Sequence, residues 1–345
     1  MKENRITFGQ SFCATSAAGI VARTLTSPFE VVQVMRQVGC KSTSAGLMHS
    51  FRNIYEAEGI RAFWKGNGAS CAKSIPHNFA QFSTFFYLRT EMSDGLSGML
   101  SPAKAFVAGT AGGIVATFVT YPLDLIKTRL TVQNSRKSVR KYTGICSAAK
   151  MIYREEGFRT FYRGVVPAVL GHVPYSGGTF VTYELLEKII SRPRHQRSAL
   201  EHFLHGCSAS ALALVIAYPF DTVKKRLQVQ SAGANFETLS DASLLRGMID
   251  GFVQTVRQRG ARGLWSGYKA GVLKVVPFAG VMFCTFETVK SGFVYHNGYT
   301  TSPFSNKPKS SIPQDIPPLE LRRWKRQQQQ QRRDHETDQT RPADQ

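Results

Sequence analysis

Three segments of the chain share one pattern: a proline, an acid two residues later, and a lysine or glutamine three residues after the acid. The prolines are Pro28, Pro122 and Pro219, the acids are Glu30, Asp124 and Asp221, and the residues that follow are Gln33, Lys127 and Lys224. An acid and a base at this spacing lie on one face of a helix. Proline inside a helix removes a backbone hydrogen bond and kinks it. The pattern predicts kinked, converging helices whose charged groups pair reversibly and so close one end of a cavity.

A second set of residues suits the binding of an anion. Lys73 and Lys274 each stand three residues before a proline, and Arg23 stands five residues before Pro28. A cation inside a membrane is costly unless it faces water or a partner, so all three are candidates for substrate binding. The alternative is that they snorkel or pair with a neighbouring helix. Three cations against few acids favour an anionic substrate, either phosphorylated or a carboxylate.

The elements that position these residues recur with a period of about 95 residues, which suits a multi-helix repeat. Each repeat contains two apolar segments long enough to cross a bilayer. The six predicted spans are 11–37, 68–91, 101–131, 165–190, 202–229 and 268–292. Polar stretches with an amphipathic pattern join the members of each pair and predict surface helices at 45–58, 146–156 and 245–259.

The predicted fold is therefore an all-α membrane protein with six transmembrane helices in three repeats. The predicted boundaries are an N-terminal extension at 1–10, repeats at 11–94, 101–192 and 200–295, and a C-terminal tail at 300–345. Proline, glutamine and charged residues dominate the tail, which predicts disorder there.

A single proline followed by an acid is also common at an ordinary helix start. Here a second motif recurs at the same interval. It is an acid or arginine followed by glycine and then, five to seven residues after that glycine, an aromatic residue, a polar residue and another glycine. The second glycines are Gly66, Gly164 and Gly267. Independent helix caps have no reason to keep this period, so the repeat interpretation is preferred.

Composition narrows the classes of function. The chain has 345 residues and a formal net charge of +21, which suits nucleic acid, an anionic membrane or an anionic solute. A nucleic-acid-binding protein concentrates its charge on one helix or stripe, whereas here much of it lies between apolar spans. The six cysteines lack metal-ligand spacing, so neither a metal site nor a disulfide framework is predicted. No nucleophile, base and orienting residue recur together, which argues against an enzyme.

The three motifs resemble the signature of the mitochondrial carrier family, solute carrier family 25, over residues 8 to 295. The resemblance implies a pseudo-threefold bundle in the mitochondrial inner membrane, with surface helices on the matrix side and both termini in the intermembrane space. It also implies a matrix gate in which Glu30 pairs with Lys127 and Asp124 with Lys224. Asp221 would face Gln33, which forms no salt bridge. Gln37 and Gln228 occupy the positions of braces beneath this gate.

On the intermembrane-space side, the resemblance implies pairs between Glu184 and Lys290 and between Glu287 and Arg89. Phe86 and Glu187 occupy the third pair's positions and cannot form one. Both gates are thus weaker than the full family pattern.

The resemblance also assigns substrate contacts and a lipid site. Its substrate contact points fall on Lys73, Lys274 and Gly171, with His172 completing the second. Gly66 and Gly164 match glycines where helix N-termini hold cardiolipin phosphate, while the plain alternative is a glycine at a helix start. The expected partners are a small anionic solute and a cardiolipin-rich membrane, without nucleic acid or cofactor, and the carrier is expected to be a monomer.

Two functions remain open from the sequence. The first is transport of a nucleotide-like or cofactor-like anion, and the second is a carrier-fold adaptor or regulator that no longer transports. The incomplete gates and the glutamine-rich tail motivate the second hypothesis.

Overall fold

The computed structural model describes residues 6–40, 46–93, 101–133, 142–189, 199–230, 247–302, 305–308 and 317–339. Its contacts divide the chain into two units. One unit comprises residues 19–281, and the other comprises residues 1–18 together with 282–345.

Six long helices occur where the sequence predicts spans. They are α1 (Phe8–Val38), α3 (Asn67–Met92), α4 (Pro102–Val132), α6 (Val165–Ile189), α7 (Ala199–Val229) and α9 (Tyr268–Asn297). Each contains an internal proline. Within the part of the chain that the structure describes, three helical segments are long and apolar enough to cross a membrane, judged by length and composition: Ala103–Val132, Leu204–Val229 and Ala261–Asn297.

A short helix lies between the two long helices of each repeat. These helices are α2 (Leu47–Glu58), α5 (Ile145–Glu156) and α8 (Met248–Arg259). Each buries two residues four apart at equivalent positions: Ser50 and Ile54, Ala148 and Ile152, Gly251 and Thr255. Each ends at a glycine and continues into one short 3₁₀ helix. The shared pattern explains why the sequence motif keeps its phase.

Within the larger unit, α3 packs on α4 and α6 packs on α7. Glycine permits both close approaches. A Cβ atom added to Gly112 of α4 would lie 3.0 Å from the backbone oxygen of Gln81 on α3. One added to Gly178 of α6 would lie 3.2 Å from Ala213 of α7. Small residues at such points let helix backbones come together without a strong hydrophobic drive from the lipid.

Many apolar side chains of the spans are exposed, among them Phe118 and Val119 of α4 and Leu212 and Ile216 of α7. Exposed apolar residues on long helices suit contact with lipid, because lipid tails accept apolar surface that water does not.

The smaller unit contains structure where the sequence predicted disorder. Strands β1 (Thr300–Ser302) and β2 (Ser305–Pro308) pair antiparallel, and helix α10 (Pro318–Gln339) follows. Leu321 of α10 is buried with Val294 and Tyr299, and Trp324 packs against the same group. Composition alone predicts disorder here, but glutamine, arginine, lysine and glutamate are also good helix formers. Leu321 and Trp324 supply the apolar contacts that dock the resulting helix.

Candidate functional site

The two ion pairs expected at the matrix gate are both present in the larger unit. Lys127 of α4 donates to the carboxylate of Glu30 on α1. Lys224 of α7 lies 2.8 Å from Asp124 Oδ2 on α4. The internal prolines lie two residues before each acid and permit the bend that brings these helices together. The role of these pairs as a gate stays a prediction.

Asp124 is the centre of a larger group of donors. Its Oδ1 atom accepts a hydrogen bond of 2.7 Å from Lys73. Its Oδ2 atom lies 3.4 Å from Lys225 Nζ and accepts a hydrogen bond of 3.1 Å from Gln228 Nε2. With Lys224, three lysines therefore contact one buried carboxylate.

Sequence reasoning missed Lys225 and Thr128. Lys225 Nζ donates to Thr128 Oγ1 at 2.9 Å and to Gln228 Oε1 at 3.2 Å. Thr128 in turn donates to Gln228 Oε1 at 2.7 Å. The Gln228 side chain, expected as a brace, thus joins α7 to α4 through two hydrogen bonds, one with Thr128 and one with Asp124. The signal for Lys225 was present, since it directly follows Lys224 and is the second of two adjacent lysines inside a span.

Asp221 has a different partner from the one expected. Gln37 Nε2 donates to Asp221 Oδ2 at 2.7 Å. The residue expected as a brace is therefore the hydrogen-bond partner of the acid of the third repeat. Gln33 lies against Gly271 of α9, where an added Cβ would come 3.2 Å from the Gln33 amide nitrogen. Gln37 stands one helical turn beyond Gln33, and its side chain spans the distance to α7.

Two of the expected substrate contacts, Lys73 and Lys274, lie beside the same acids. Lys274 Nζ is 4.0 Å from Glu30 Oε1. The Nε atom of Arg23 is buried without a hydrogen bond to any described residue. His172 Nε2 lies 2.9 Å from Thr117 Oγ1. Gly171 faces Phe220, whose Cβ would be 2.9 Å from a Cβ added at that position.

These side chains form a group that we call the charged cluster. Its cations are Arg23, Lys73, Lys127, Lys224, Lys225 and Lys274, and its acids are Glu30, Asp124 and Asp221, with Arg23 joined through its electrostatic interaction with Glu30 and Asp221 through that with Lys224. Six cations against three acids leave an excess of three positive charges among side chains drawn from α1, α3, α4, α7 and α9. In surroundings of low dielectric such an excess strongly attracts an anion.

Hydroxyl groups before the three prolines join the motifs of each repeat. Ser27 donates to the backbone oxygen of Phe63 at 2.8 Å. Tyr121 donates to that of Arg163 at 2.9 Å, and Tyr218 to that of Ser266 at 3.1 Å. The link between the two motifs therefore recurs in all three repeats, a regularity that the spacing of the motifs could have indicated.

Gly66 and Gly164 stand directly before α3 and α6, each with φ in the left-handed region, at +75° and +86°. A side chain would be strained there, and it would also collide: a Cβ at Gly66 would lie 2.9 Å from the backbone oxygen of Lys127, and one at Gly164 would lie 2.9 Å from the hydroxyl of Tyr121. The backbone conformation and the close packing therefore require glycine at both positions, independently of lipid binding.

A cavity of about 750 Å³ opens beside Gly164. Its lining includes Arg163 and the first residues of both α6 and α8, among them Val165, Gly247 and Met248. Two helix N-termini direct backbone N–H groups toward this cavity, which suits a phosphate. Arg163, whose Nη1 atom donates to the backbone oxygen of Gln230 at 3.2 Å, and Asp250 add one charge of each sign to the lining.

The residues predicted for the opposite gate lie in both units. Arg89 and Glu184 belong to the larger unit, where both are exposed. In the smaller unit, Lys290 Nζ lies 3.2 Å from Glu287 Oε1, one turn earlier on the same helix. The pairs of Glu184 with Lys290 and of Arg89 with Glu287 stay predictions.

Comparison with known proteins agrees with this architecture. The family model described as mitochondrial carrier protein matches residues 4–95, 98–194 and 195–297. Solute carrier family 25 member 43 from Mus musculus is 40% identical over 94% of this chain and 94% of its own length. The same protein from Danio rerio is 39% identical over 94% of this chain and 93% of its own length. A mitochondrial adenine nucleotide transporter from Arabidopsis thaliana is 33% identical over 81% of this chain and 86% of its own length.

Three family matches, six long helices in three repeats and a cluster of paired charges between the helices lead to one assignment. The chain belongs to the mitochondrial carrier family, whose members are multi-pass transporters of the mitochondrial inner membrane and not enzymes.

Proposed function

We propose that this carrier moves a small, phosphorylated anion across the inner membrane by alternating access, with both termini in the intermembrane space. Within and beside the charged cluster, the matrix gate consists of Glu30, Gln33, Asp124, Lys127, Asp221 and Lys224, and the substrate contacts Arg23, Lys73 and Lys274 lie among them. One observation carries the proposal: Lys73 and Lys274, the lysines expected to contact substrate, each lie beside an acid of the predicted gate, at 2.7 Å from Asp124 and 4.0 Å from Glu30.

Because the lysines lie beside the gate acids, an anion and an acid compete for the same cation. A phosphate that binds Lys73 replaces Asp124 as the partner of that lysine. Breaking a buried ion pair without replacement is strongly unfavourable, on the order of 3–5 kcal/mol, whereas an incoming anion keeps the cation paired. Substrate binding then offsets the cost of opening the gate.

An adenine nucleotide is the first substrate to test. The excess positive charge of the cluster suits the several negative charges of a nucleotide. One relative is named as an adenine nucleotide transporter. Coenzyme A-like molecules and dicarboxylates are the comparison compounds, because they test phosphate and carboxylate charge separately.

The experiment combines ligand-induced thermal stabilisation of the purified protein with uptake into liposomes. We expect a phosphorylated anion to raise the melting temperature and to be taken up saturably, with both effects lost in the Lys73→Ala/Lys274→Ala variant. Stabilisation by dicarboxylates alone would contradict the phosphate assignment. Absence of uptake for every anion would contradict transport itself.

We also propose that cardiolipin binds at the cavity beside Gly164, with its phosphate held by the start of α6 and the side chain of Arg163. Arg163→Ala is expected to reduce the thermal stabilisation that added cardiolipin produces, while Lys150→Ala, which removes an exposed lysine on α5, leaves it unchanged.

The second candidate is an adaptor that does not transport. One contact in the third repeat favours this candidate: Asp221 accepts a hydrogen bond from the neutral Gln37 of α1 instead of forming an ion pair with a cation of that helix. An adaptor shows no saturable flux, and deleting residues 325–345, which leaves Leu321 and Trp324 in place, abolishes its role without changing the melting temperature of the remaining carrier.

A further inference from the structure

The C-terminal helix α10 is basic along most of its length. Between residues 322 and 333 the sequence contains six arginines and lysines and no acid, and the next acid is Asp334. The described side chains of Arg323 and Arg326 and those of residues 327–331 are exposed. Like charges that are exposed on one helix repel each other unless an oppositely charged partner or counter-ions from solution lie close to them.

The start of α10 is anchored near the end of the last membrane span. Leu321 is only 1% exposed and packs with Val294 of the last turn of α9 and with Tyr299. Trp324, one turn later, joins the same group. In the same unit, Gln10 of α1 and Asn297 of α9 exchange hydrogen bonds of 3.1 and 2.9 Å, which fixes this end of both helices. The basic segment therefore begins close to the level at which α9 leaves the bilayer.

We propose that the segment 322–333 of α10 lies on the surface of the inner membrane and binds the headgroups of anionic phospholipids. Each lysine or arginine close to an anionic membrane surface strengthens binding about fivefold, within a Debye length of about 10 Å. Trp324 has the amphipathic ring that is enriched at membrane interfaces. Anchoring through Leu321 removes most of the entropic cost of bringing the basic segment to the surface.

Hydrogen exchange of the full-length carrier in lipid nanodiscs tests this proposal. We compare discs of phosphatidylcholine with discs that also contain cardiolipin. Amides of residues 327–331 are expected to exchange several-fold more slowly in the anionic discs, and about 1 M salt, where the Debye length falls to about 3 Å, is expected to remove the difference. Amides of residues 321–324 are expected to exchange equally in both lipids, because their anchor is within the protein.

Two variants separate charge from folding. Replacement of all six basic residues of 322–333 by glutamine is expected to remove the slowing by cardiolipin, and replacement of the five arginines among them by lysine is expected to retain it. Equal exchange of residues 327–331 in the two lipids would overturn the proposal, as would slowing that persists in the glutamine variant. Slowing that requires an added acidic polypeptide such as polyglutamate, and not cardiolipin, would assign the segment to an acidic protein instead.

Discussion

Lys73 Nζ donates a hydrogen bond of 2.7 Å to Asp124 Oδ1, which joins a residue expected to contact substrate to an acid of the predicted gate. The bond connects α3 to α4, and the same carboxylate also reaches α7 through Lys224 and Lys225. A single side chain thus links three spans, so a change in its partners affects all three at once.

Removing the lysines of the charged cluster is expected to reduce transport of an anion. Lys73→Ala and Lys274→Ala each delete a charged contact worth roughly 1.5–3 kcal/mol, so the apparent affinity for substrate falls about 10- to 100-fold. Uptake into liposomes measures this effect. Lys150→Ala, which removes an exposed lysine of α5, is the control and leaves flux unchanged. Unchanged flux in both cluster variants would refute the site assignment.

Asp124 and Asp221 occupy equivalent positions in their repeats, but we expect their replacement by asparagine to lower the stability of the protein by different amounts. Asp124→Asn leaves three lysines, of which Lys225 is buried, without their shared carboxylate and is expected to cost on the order of 3–5 kcal/mol. Asp221→Asn retains a hydrogen-bonding partner for Gln37 and is expected to cost about 1 kcal/mol. Thermal unfolding in detergent compares the two variants. A larger loss for Asp221→Asn would show that Asp124 is not the central acid.

Arg129 of α4 and Glu156 of α5 form a buried, bidentate salt bridge, with nitrogen–oxygen distances of 2.5 and 2.9 Å. This salt bridge attaches α5 to α4. Glu156→Gln leaves a fully buried guanidinium without its counter-charge, so we expect a loss of about 3–5 kcal/mol in the free energy of unfolding.

The exposed pair of Arg52 and Glu56 on α2 is the matched control. Glu56→Gln is expected to change stability by less than about 1 kcal/mol, since exposed ion pairs contribute little. Similar losses of stability in Glu156→Gln and Glu56→Gln would show that the buried salt bridge does not stabilise the repeat.

Cys40 is expected to resist alkylation in the folded protein. Burial raises the pKa of its thiol to about 12, and the thiolate is the reactive form. Cys146, exposed on α5, is the matched control and is expected to react readily with a maleimide at neutral pH. Peptide mass spectrometry after brief labelling measures both sites.

The same pKa shift predicts a pH dependence of stability. Because the folded pKa lies above the ordinary value of 9.0, the unfolded chain loses this proton first as the pH rises. The contribution of Cys40 is therefore fully present below pH 9 and is lost between pH 9 and about 12. A Cys40→Ser variant whose stability falls equally over this range would exclude Cys40 as the cause.

The repeat could be predicted from the sequence because its causes are local. Internal prolines, apolar segments of membrane length and glycines at short-helix ends depend on neighbouring residues alone. The predicted spans agree with the long helices to within a few residues at most ends, as with 68–91 against Asn67–Met92, although α9 continues to Asn297 beyond the predicted 292. The pairs of Glu30 with Lys127 and of Asp124 with Lys224 also followed from the family pattern.

Three other features depended on the tertiary structure: the convergence of Lys73 and Lys225 on Asp124, the bond from Gln37 to Asp221, and the docking of α10 by Leu321. Each joins residues far apart in the chain, and the choice of partner depends on how neighbouring helices are rotated and how far a long side chain reaches. Sequence alone therefore determined the period in which the charges recur and the partners of Lys127 and Lys224, whereas the packing of the helices decided that Lys73 and Lys225 also meet Asp124.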